Sequence, residues 1–252
     1  KPRKKAYNIG LSYLYKEDSS FFMKANRSFR YPLTDEIVTL AGGGINTDIK
    51  AQAGRHYDLG VRHAFNPRLH GQLTLFRAEI KNEIFYNPIG GPFGWGANEN
   101  HPETRRQGIE TGFRAIVLDN LTLRGNYTYQ KAKFEDDPYR GNYVPAVPRH
   151  KVGFGLRISD LPVPGIGFSA DYTVVGSSYL ISDQANQLEK LDRYSLVDTR
   201  ISYTKNSFEA FVGVDNLLDK KYAQYGAVNW AGAPNFYPAP ERTWTAGVEM
   251  RF

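Results

Sequence analysis

The side chains best suited to molecular recognition in this sequence are aromatic rings and arginines in its polar, turn-rich segments. They are Phe93, Trp95, Tyr139, Tyr143, Tyr225, Trp230, Phe236 and Tyr237, together with Arg105 and Arg106. An aromatic ring offers a flat apolar surface, and an arginine binds a carboxylate or phosphate through two parallel hydrogen bonds. Phe93 and Trp95 are flanked by glycines, which suits an adaptable loop. Ordinary loop packing uses the same residue types, so the residues alone leave both interpretations open.

Metal chemistry finds little support in the residue spacing. The histidines are His56, His63, His70, His101 and His150, and no two of them show metal-ligand spacing on one strand face. His101 lies between Glu99 and Glu103, but a solvated loop explains that arrangement better than a cation site. The chain has no cysteine, so disulfides and thiolate metal sites are excluded. We therefore expect no metal site and no cofactor.

One pair of residues could support hydrolysis. His150 and Ser178 are expected on the same, outward face of two neighbouring β-strands. A hairpin at 161–165 would bring them close together at the outer end of those strands. A serine nucleophile also needs a third group that orients the histidine, and no Asn or Asp is evident on that face. We therefore expect no enzyme activity, and keep a barrel enzyme such as a phospholipase as a weaker alternative.

The elements that must position these residues are β-strands with one apolar and one polar face. In the last segment, Trp244, Ala246, Val248, Met250 and Phe252 share one face, and Thr243, Thr245, Gly247, Glu249 and Arg251 share the other. The same period of two recurs in segments that start near Tyr7, Tyr57, Leu121, Val152 and Ile166. The polar face is expected to carry Glu79, Glu110, Asp171, Asp198 and Glu209, with Arg124, Arg157 and Arg200. Such a face is too polar for a packed core and predicts a water-filled lumen crossed by ion pairs.

Connections between the strands alternate in length. Short turns fall near 16–19, 66–68, 119–120, 161–165 and 205–206, and long segments cover 30–54, 87–103, 136–148, 181–192 and 217–240. This alternation is typical of the periplasmic turns and extracellular loops of antiparallel transmembrane β-barrels. It gives about eleven strands, whereas bacterial single-chain barrels have an even number. We therefore expect residues 1–252 to form one segment that supplies only part of a barrel.

Composition agrees with a strand-rich membrane protein. No run of about eighteen apolar residues occurs, which excludes a transmembrane helix. Aromatic residues make up 14% of the chain, as interfacial girdles require. The net charge is +6, but no basic stripe interleaved with aromatics extends beyond the cluster at 1–5, so we expect no nucleic-acid partner.

Several stretches resemble TonB-dependent outer-membrane receptors. The segment Asn216-Leu217-Leu218-Asp219-Lys220-Lys221-Tyr222, followed by 237–244, resembles the approach to their last strand. Thr34-Asp35-Glu36-Ile37, the stretch 54–62 and the stretch 106–110 are similar to earlier motifs of the family and keep its order. Leu218 stands where the family usually has phenylalanine. The ending in Phe252 resembles the sorting signal of outer-membrane barrels.

The resemblance implies the C-terminal half of a 22-stranded barrel without its N-terminal plug. It implies a location in the outer membrane of a Gram-negative bacterium and active import of a ferric siderophore or a similarly large, scarce nutrient. The energy would come from the TonB–ExbB–ExbD complex acting through the missing plug. Other implied partners are the remaining N-terminal half of the receptor and the outer-membrane lipid and lipopolysaccharide. The aromatic residues and arginines named first would contact the substrate from extracellular loops. A passive porin is the main alternative.

Overall fold

The computed structural model describes residues 4–39, 44–87, 90–229 and 231–250, and β-strands account for most of them. The strands are β1 Tyr7–Lys16, β2 Ser19–Arg30, β3 Val38–Thr39, β4 Gly44–Ile45, β5 Gln52–Asn66, β6 Leu69–Lys81, β7 Ile84–Asn87, β8 Ala97–Asn100, β9 Thr104–Leu118, β10 Leu121–Phe134, β11 His150–Ile158, β12 Ile166–Val175, β13 Tyr194–Lys205, β14 Phe208–Asp215, β15 Ala223–Val228, β16 Pro234–Pro238 and β17 Thr243–Met250. One short helix, α1, covers Thr34–Ile37. In the part of the chain that is described, no helix has the length and apolar character needed to cross a membrane.

Eleven of these strands form one antiparallel sheet in the order β1-β2-β5-β6-β9-β10-β11-β12-β13-β14-β17. Each strand pairs with the next sheet strand along the chain, so the sheet is a continuous meander that forms a partial barrel. The pairs β3-β4, β7-β8 and β15-β16 are separate two-stranded hairpins in the connections. The predicted antiparallel barrel segment of about eleven strands is therefore confirmed.

One face of the sheet is apolar although it is open to the surroundings. Leu11, Met23, Leu59, Leu75 and Ile109 lie directly opposite one another across five neighbouring strands. Leu11 is 66% exposed and Leu59 is 54% exposed. In a water-soluble protein such a row would be covered, whereas lipid chains solvate it in a membrane barrel. We call this side the outward face.

The opposite, inward face carries paired charges. Arg124 donates to Asp171 at 2.6 Å across β10 and β12, and Arg200 donates to Glu209 at 2.7 Å across β13 and β14. These ion pairs agree with the predicted polar lumen. The assignment of Glu79 to that lumen is wrong. Glu79 lies opposite Arg55 and Arg105 in an unbroken register, so it shares the outward face with Leu75.

The last strand has the predicted register. Thr245 lies opposite Gly213 and Glu249 lies opposite Glu209, which places both on the inward face. Trp244 and Val248 are outward, and they are 67% and 66% exposed. Arg251 and Phe252 lie outside the described residues.

Two kinds of connection join the sheet strands at its two ends. Short turns link β1 to β2, β5 to β6, β9 to β10 and β13 to β14, and a somewhat longer one links β11 to β12. Asp18 and Asn206 adopt φ values of 55° and 52° in two of these turns, a conformation that Asp and Asn tolerate well. The other end carries five long loops: loop 1 (residues 31–51), loop 2 (82–103), loop 3 (135–149), loop 4 (176–193) and loop 5 (216–242).

Candidate functional site

The five long loops leave the same end of the sheet because consecutive strands run in opposite directions. Loop 1 is tied to loop 2 through Asn100, whose Oδ1 accepts from the Lys50 backbone N–H at 2.7 Å and whose Nδ2 donates to the Lys50 carbonyl at 3.0 Å. Asn46 also donates to the Asn98 carbonyl at 3.1 Å. These bonds replace the water that would otherwise solvate loop backbone, so they fix one loop against the other.

Loop 1 also holds a charged contact at its start. The Glu36 carboxylate accepts from Arg30 at 2.6 Å and from the backbone N–H of Leu33 at 2.7 Å. Partial burial raises the pKa of this carboxyl. The two hydrogen bonds and the Arg30 charge together lower it by a larger amount, so the pKa lies below its usual value. This contact lies at the N-terminal end of the short helix α1.

The base of loop 2 is a packed, polar-lined structure. His101 is stacked on Phe85 with ring centroids 3.6 Å apart, and its edge meets Phe134 at 4.9 Å. Burial lowers the pKa of His101 to about 4, so the ring is neutral at neutral pH. Beside it, Glu83 accepts from Thr104 at 3.0 Å and from Arg106 at 2.7 Å.

The two carboxylates nearest to His101 in the sequence, Glu99 and Glu103, have partners other than the His101 ring. Glu103 pairs with Lys81 at 2.8 Å, and Glu99 accepts from Asn87 at 3.2 Å, so both carboxylates have partners away from the ring. Within the described ranges no cluster of three or more His, Asp and Glu residues could hold a metal ion.

Loops 3 and 4 are joined by amide side chains. Asn186 exchanges two bonds with the backbone of Tyr143, one at 2.6 Å and one at 2.9 Å, and Asn142 donates to the Gln184 carbonyl at 3.0 Å. Below this seam Ala132, Phe134 and Val144 are fully buried, with Tyr139 packed against them. Tyr139 therefore contributes to packing between β10 and loop 3.

Loop 4 in turn contacts loops 5 and 2. The Ile181 N–H donates to the Gly226 carbonyl at 2.8 Å, and Leu180, Leu191 and Val228 form a second buried cluster. Ser182 donates to the Tyr86 carbonyl of loop 2 at 3.2 Å. The five loops thus form one connected layer, and its two small cores lie at this end rather than inside the sheet.

Several predicted recognition residues lie exposed on this layer. Phe93 and Trp95 are 60% and 66% exposed, with ring centroids 5.6 Å apart. Tyr225 and Tyr237 meet edge to face at 5.0 Å on the β15-β16 hairpin, beside Phe236. Burial raises the pKa of Tyr225, helped by the neighbouring Tyr237 and Tyr86, so its hydroxyl is protonated and can donate a hydrogen bond.

Other predicted recognition residues lie elsewhere. Arg106 is opposite Ala78 and Ala132 on the inward face and is paired with Glu83, whereas its neighbour Arg105 faces outward and pairs with Glu135 at 3.0 Å. Tyr143 forms an isolated antiparallel β-bridge with Lys133, and Lys133 also faces outward. Trp230 lies outside the described residues. The structure therefore does not bring all ten residues to one surface.

Sequence reasoning missed residues that organise the layer. Glu83, Asn100, Asp183 and Asn186 all bond to the backbone or side chains of neighbouring loops or of their own loop. Asp183 is only 4% exposed and accepts from the backbone N–H groups of Gln187 and Leu188 at 3.0 and 3.1 Å. The available signal was the occurrence of Asn and Asp within loops, where their short side chains cap backbone groups.

The residues considered for hydrolysis do not form a catalytic pair. The Nδ1 atom of His150 is 2.8 Å from the hydroxyl oxygen of Tyr127, on the outward face. Ser178 is 8% exposed, and its backbone exchanges two hydrogen bonds with Leu191. Each residue thus has a structural role of its own.

Comparison with known proteins identifies this arrangement. Residues 3–217 match the family model described as TonB dependent receptor-like, beta-barrel. The chain belongs to the TonB-dependent receptor family. Members of this family are outer-membrane transporters or receptors of Gram-negative bacteria and are not enzymes.

Named relatives support the same assignment. An uncharacterized TonB-dependent receptor of Haemophilus influenzae is 25% identical over 237 residues, which cover 88% of this chain and 65% of that protein. The ferrichrome outer membrane transporter/phage receptor of Escherichia coli K12 is 26% identical over 178 residues, which cover 67% of this chain and 23% of that protein. The crystal structure of the ferric yersiniabactin uptake receptor FyuA from Yersinia pestis matches with a TM-score of 0.77 and 22% identity, and covers 97% of this chain and 37% of that structure. The chain thus spans less than two thirds of these TonB-dependent receptors.

Proposed function

We propose that residues 1–252 form the C-terminal barrel segment of a TonB-dependent receptor that imports a ferric siderophore or a similar metal chelate. The supporting observation is the connected layer of loops above a charged lumen, with exposed aromatic rings on that layer. The similarity to a ferrichrome transporter favours a chelate of this kind. In this proposal the energy for import comes from the TonB–ExbB–ExbD complex, which acts through a plug supplied by another part of the receptor.

The proposed substrate surface consists of the exposed aromatic residues of loops 2 and 5. It comprises Phe93, Trp95, Tyr225, Phe236 and Tyr237, with Trp230 of loop 5 included from the sequence alone. Organic iron chelates present flat or apolar faces together with oxygen atoms, and aromatic rings with a phenolic O–H suit both. We propose that Arg106 binds an anionic group of the substrate at the lumenal side. Its hydrogen bond to Glu83 uses only part of the five N–H donors of the guanidinium group.

The segment needs partners to complete a transport path. We propose that the remaining strands of the barrel pair with the exposed edges of β1 and β17, because unpaired backbone groups cost several kcal/mol each in lipid. Lipid and lipopolysaccharide surround the outward face. Nothing in this scheme involves nucleic acid.

Tryptophan fluorescence of the intact receptor tests the substrate surface. Trp95 lies on loop 2, and Trp244 lies on the outward face of β17, so the two tryptophans provide a matched pair. We expect titration with a ferric hydroxamate siderophore to quench wild type and Trp244→Phe equally. Trp95→Phe should lose the part of the quenching that arises in loop 2. Equal quenching in all three proteins would place the substrate away from loop 2.

A transport assay separates energised import from passive diffusion. Uptake of the radioactive iron chelate is measured in cells with and without TonB. Loss of uptake without loss of binding in the cells that lack TonB is the expected result. Unchanged uptake would favour the porin alternative and would contradict the proposal.

A further inference from the structure

Three arginines gather on the inward face where β9, β10 and β11 approach their short turns. Arg114 of β9 lies directly opposite Arg124 of β10, and Arg157 of β11 lies directly opposite Thr122 of β10. Alternation along β10 puts Thr122 and Arg124 on the same face, so all three guanidinium groups point to one side of the sheet. Each arginine lies near the turn end of its strand. We call Arg114, Arg124 and Arg157 the turn-end cluster.

Only Arg124 of this cluster has a carboxylate partner. It donates to Asp171 of β12 at 2.6 Å and reaches across β11 at Gly155, which lies between the two residues in the register. A Cβ atom at position 155 would clash with Arg124 Nε and with Asp171 Oδ1, so the crossing requires a glycine. The pair draws Arg124 away from Arg114, which relieves the repulsion between like charges at directly opposed positions.

The other two arginines are not balanced by the carboxylates of the lumen wall. Within the described residues, Arg114 and Arg157 form no ion pair. Neighbouring inward carboxylates are engaged elsewhere: Asp198 accepts from a backbone N–H at 2.8 Å, and Glu209 accepts from Arg200 at 2.7 Å. Arg114 and Arg157 therefore keep N–H donors that an incoming anion can use.

The cluster borders a concave part of the wall. Arg114, Arg124 and Arg157 line a depression of about 320 Å³ together with Thr122 and Ser169. The two hydroxyl residues lie directly opposite Arg157 on its neighbouring strands, so they add hydrogen-bonding groups at the same height. The depression thus offers room for a small polar group, beside guanidinium and hydroxyl donors.

The position of the cluster relates it to Arg106. Arg106 and Arg114 share the inward face of β9, and the strand length between them is about 26 Å at the usual rise per residue. Arg106 lies at the loop end, where we propose that it binds an anionic group of the substrate. The turn-end cluster lies at the opposite end of the same wall, so an anion that moves along the lumen meets cations at both ends.

We propose that the turn-end cluster binds carboxylate groups of an anionic metal chelate as the chelate leaves the lumen on the side of the short turns. This inference rests on the proposed function and gives its substrate a negative charge. Arginine binds a carboxylate through two parallel hydrogen bonds, and Arg114 and Arg157 have donors free for such bonds. Ion pairs in a site this open to water are weak, which suits a group that must be released. An acidic side chain of the plug carries the same chemical group, and the experiment below separates the two sources.

Uptake by cells that express the intact receptor as their only siderophore receptor tests this site. The probes are a neutral ferric trihydroxamate and a ferric citrate-based dihydroxamate with free carboxylates, both labelled with radioactive iron. The cluster variant carries Arg114→Gln and Arg157→Gln. The control variant carries Arg27→Gln and Arg55→Gln, which removes two arginines that lie directly opposite each other on the outward face. We expect the cluster variant to lower the maximal rate of TonB-dependent uptake of the anionic chelate at least about fivefold, the order expected for two exposed charge contacts.

The remaining measurements should stay at the wild-type values. These are uptake of the neutral chelate by the cluster variant, binding of both chelates to the surface of de-energised cells, and uptake of both chelates by the control variant. An equal fall in the uptake of both chelates would overturn the proposal and assign the two arginines to an acidic side chain of the plug. Unchanged uptake of the anionic chelate by the cluster variant would overturn it as well, and so would weaker surface binding, because the arginines would then act at the loop side.

Wild type itself separates this inference from the proposed function. Import of the neutral chelate alone would overturn the anion site and leave the proposed function intact. Import of neither chelate would contradict the proposed function. Heat-modifiable mobility on gels confirms that each variant is folded.

Discussion

The corner after β14 is held by side-chain hydrogen bonds to its backbone, whereas the tip of loop 2 turns on glycines. At the corner, Asn216 is 4% exposed with a φ of 52°. Its backbone N–H donates to Asp198 at 2.8 Å, and its side chain both donates to the Lys220 carbonyl at 2.9 Å and accepts from the Lys220 N–H at 2.8 Å. Asp219 accepts from the Arg242 N–H at 3.0 Å, which brings β17 back beside β14.

At the tip of loop 2 the backbone turns on glycine instead. Gly91, Gly94 and Gly96 have φ values of 79°, 68° and 102°, and Phe93 and Trp95 between them are exposed. The motif that reveals the family thus consists of residues that return the last strand to the barrel. At the tip of loop 2, by contrast, the exposed Phe93 and Trp95 belong to a segment that carries no family motif. The sequence of the barrel scaffold therefore identifies the family, but it does not identify the substrate.

Replacement of Asn216 is expected to have the largest effect on stability. Asn216→Ala leaves the Lys220 N–H and carbonyl without their partner and puts alanine at a positive φ. The combined cost is about 3 kcal/mol. Guanidinium unfolding of the intact receptor in detergent measures it, and Asn8→Ala at an exposed position of β1 is the control. A loss below about 1 kcal/mol, the ordinary value of one hydrogen bond, would mean that the corner does not hold β17.

The base of loop 2 is expected to give the next largest effect, as a dependence on pH. The pKa of His101 is lowered from 6.5 to about 4 by burial, so the unfolded chain binds a proton first as the pH falls. The stability from this group is complete above pH 6.5 and is lost progressively towards pH 4, by up to about 3 kcal/mol. Unfolding measured at several pH values should show this slope in wild type and not in His101→Phe. An identical slope in the variant would assign the pH dependence to other groups.

The base of loop 2 is buried and packed like the corner, and the exposed part of the loop is its tip. The packing of His101 between Phe85 and Phe134 depends on contacts between segments that are far apart in sequence. Periodicity identifies each strand separately and cannot identify such contacts.

The sheet itself was predictable because a period of two fixes which residues share a face. The inward side of Thr245 and Glu249 followed directly from alternation within β17. The assignment of Glu79 failed because it was made from charge rather than parity: an outward arginine row supplies partners for an outward glutamate. The proposed substrate surface follows only partly from the sequence, since Arg105 and Tyr143 have suitable chemistry but the register turns them away from the lumen.

At the tip of loop 2, truncation is expected to affect binding and not folding. Trp95→Ala removes an exposed ring, so the free energy of unfolding should stay within about 0.5 kcal/mol of wild type. Siderophore affinity should fall by about 1–2 kcal/mol, as expected for one aromatic contact. Isothermal titration measures the affinity, with Val163→Ala in the β11-β12 turn at the far end as the control. A destabilised protein with unchanged affinity would reverse the roles given to the tip and the corner.

The smallest effect is expected at the corner itself, at the one position where the motif departs from its usual form. Leu218 occupies the place where phenylalanine is usual, and it is 70% exposed. Leu218→Phe should therefore change the free energy of unfolding by less than about 0.5 kcal/mol, because little area of the new ring is withdrawn from its surroundings. The measurement is made beside Asn216→Ala under the same conditions. A gain of about 1 kcal/mol or more would show that the ring packs against the barrel wall, and that the corner depends on apolar contact as well as on the hydrogen bonds of Asn216 and Asp219.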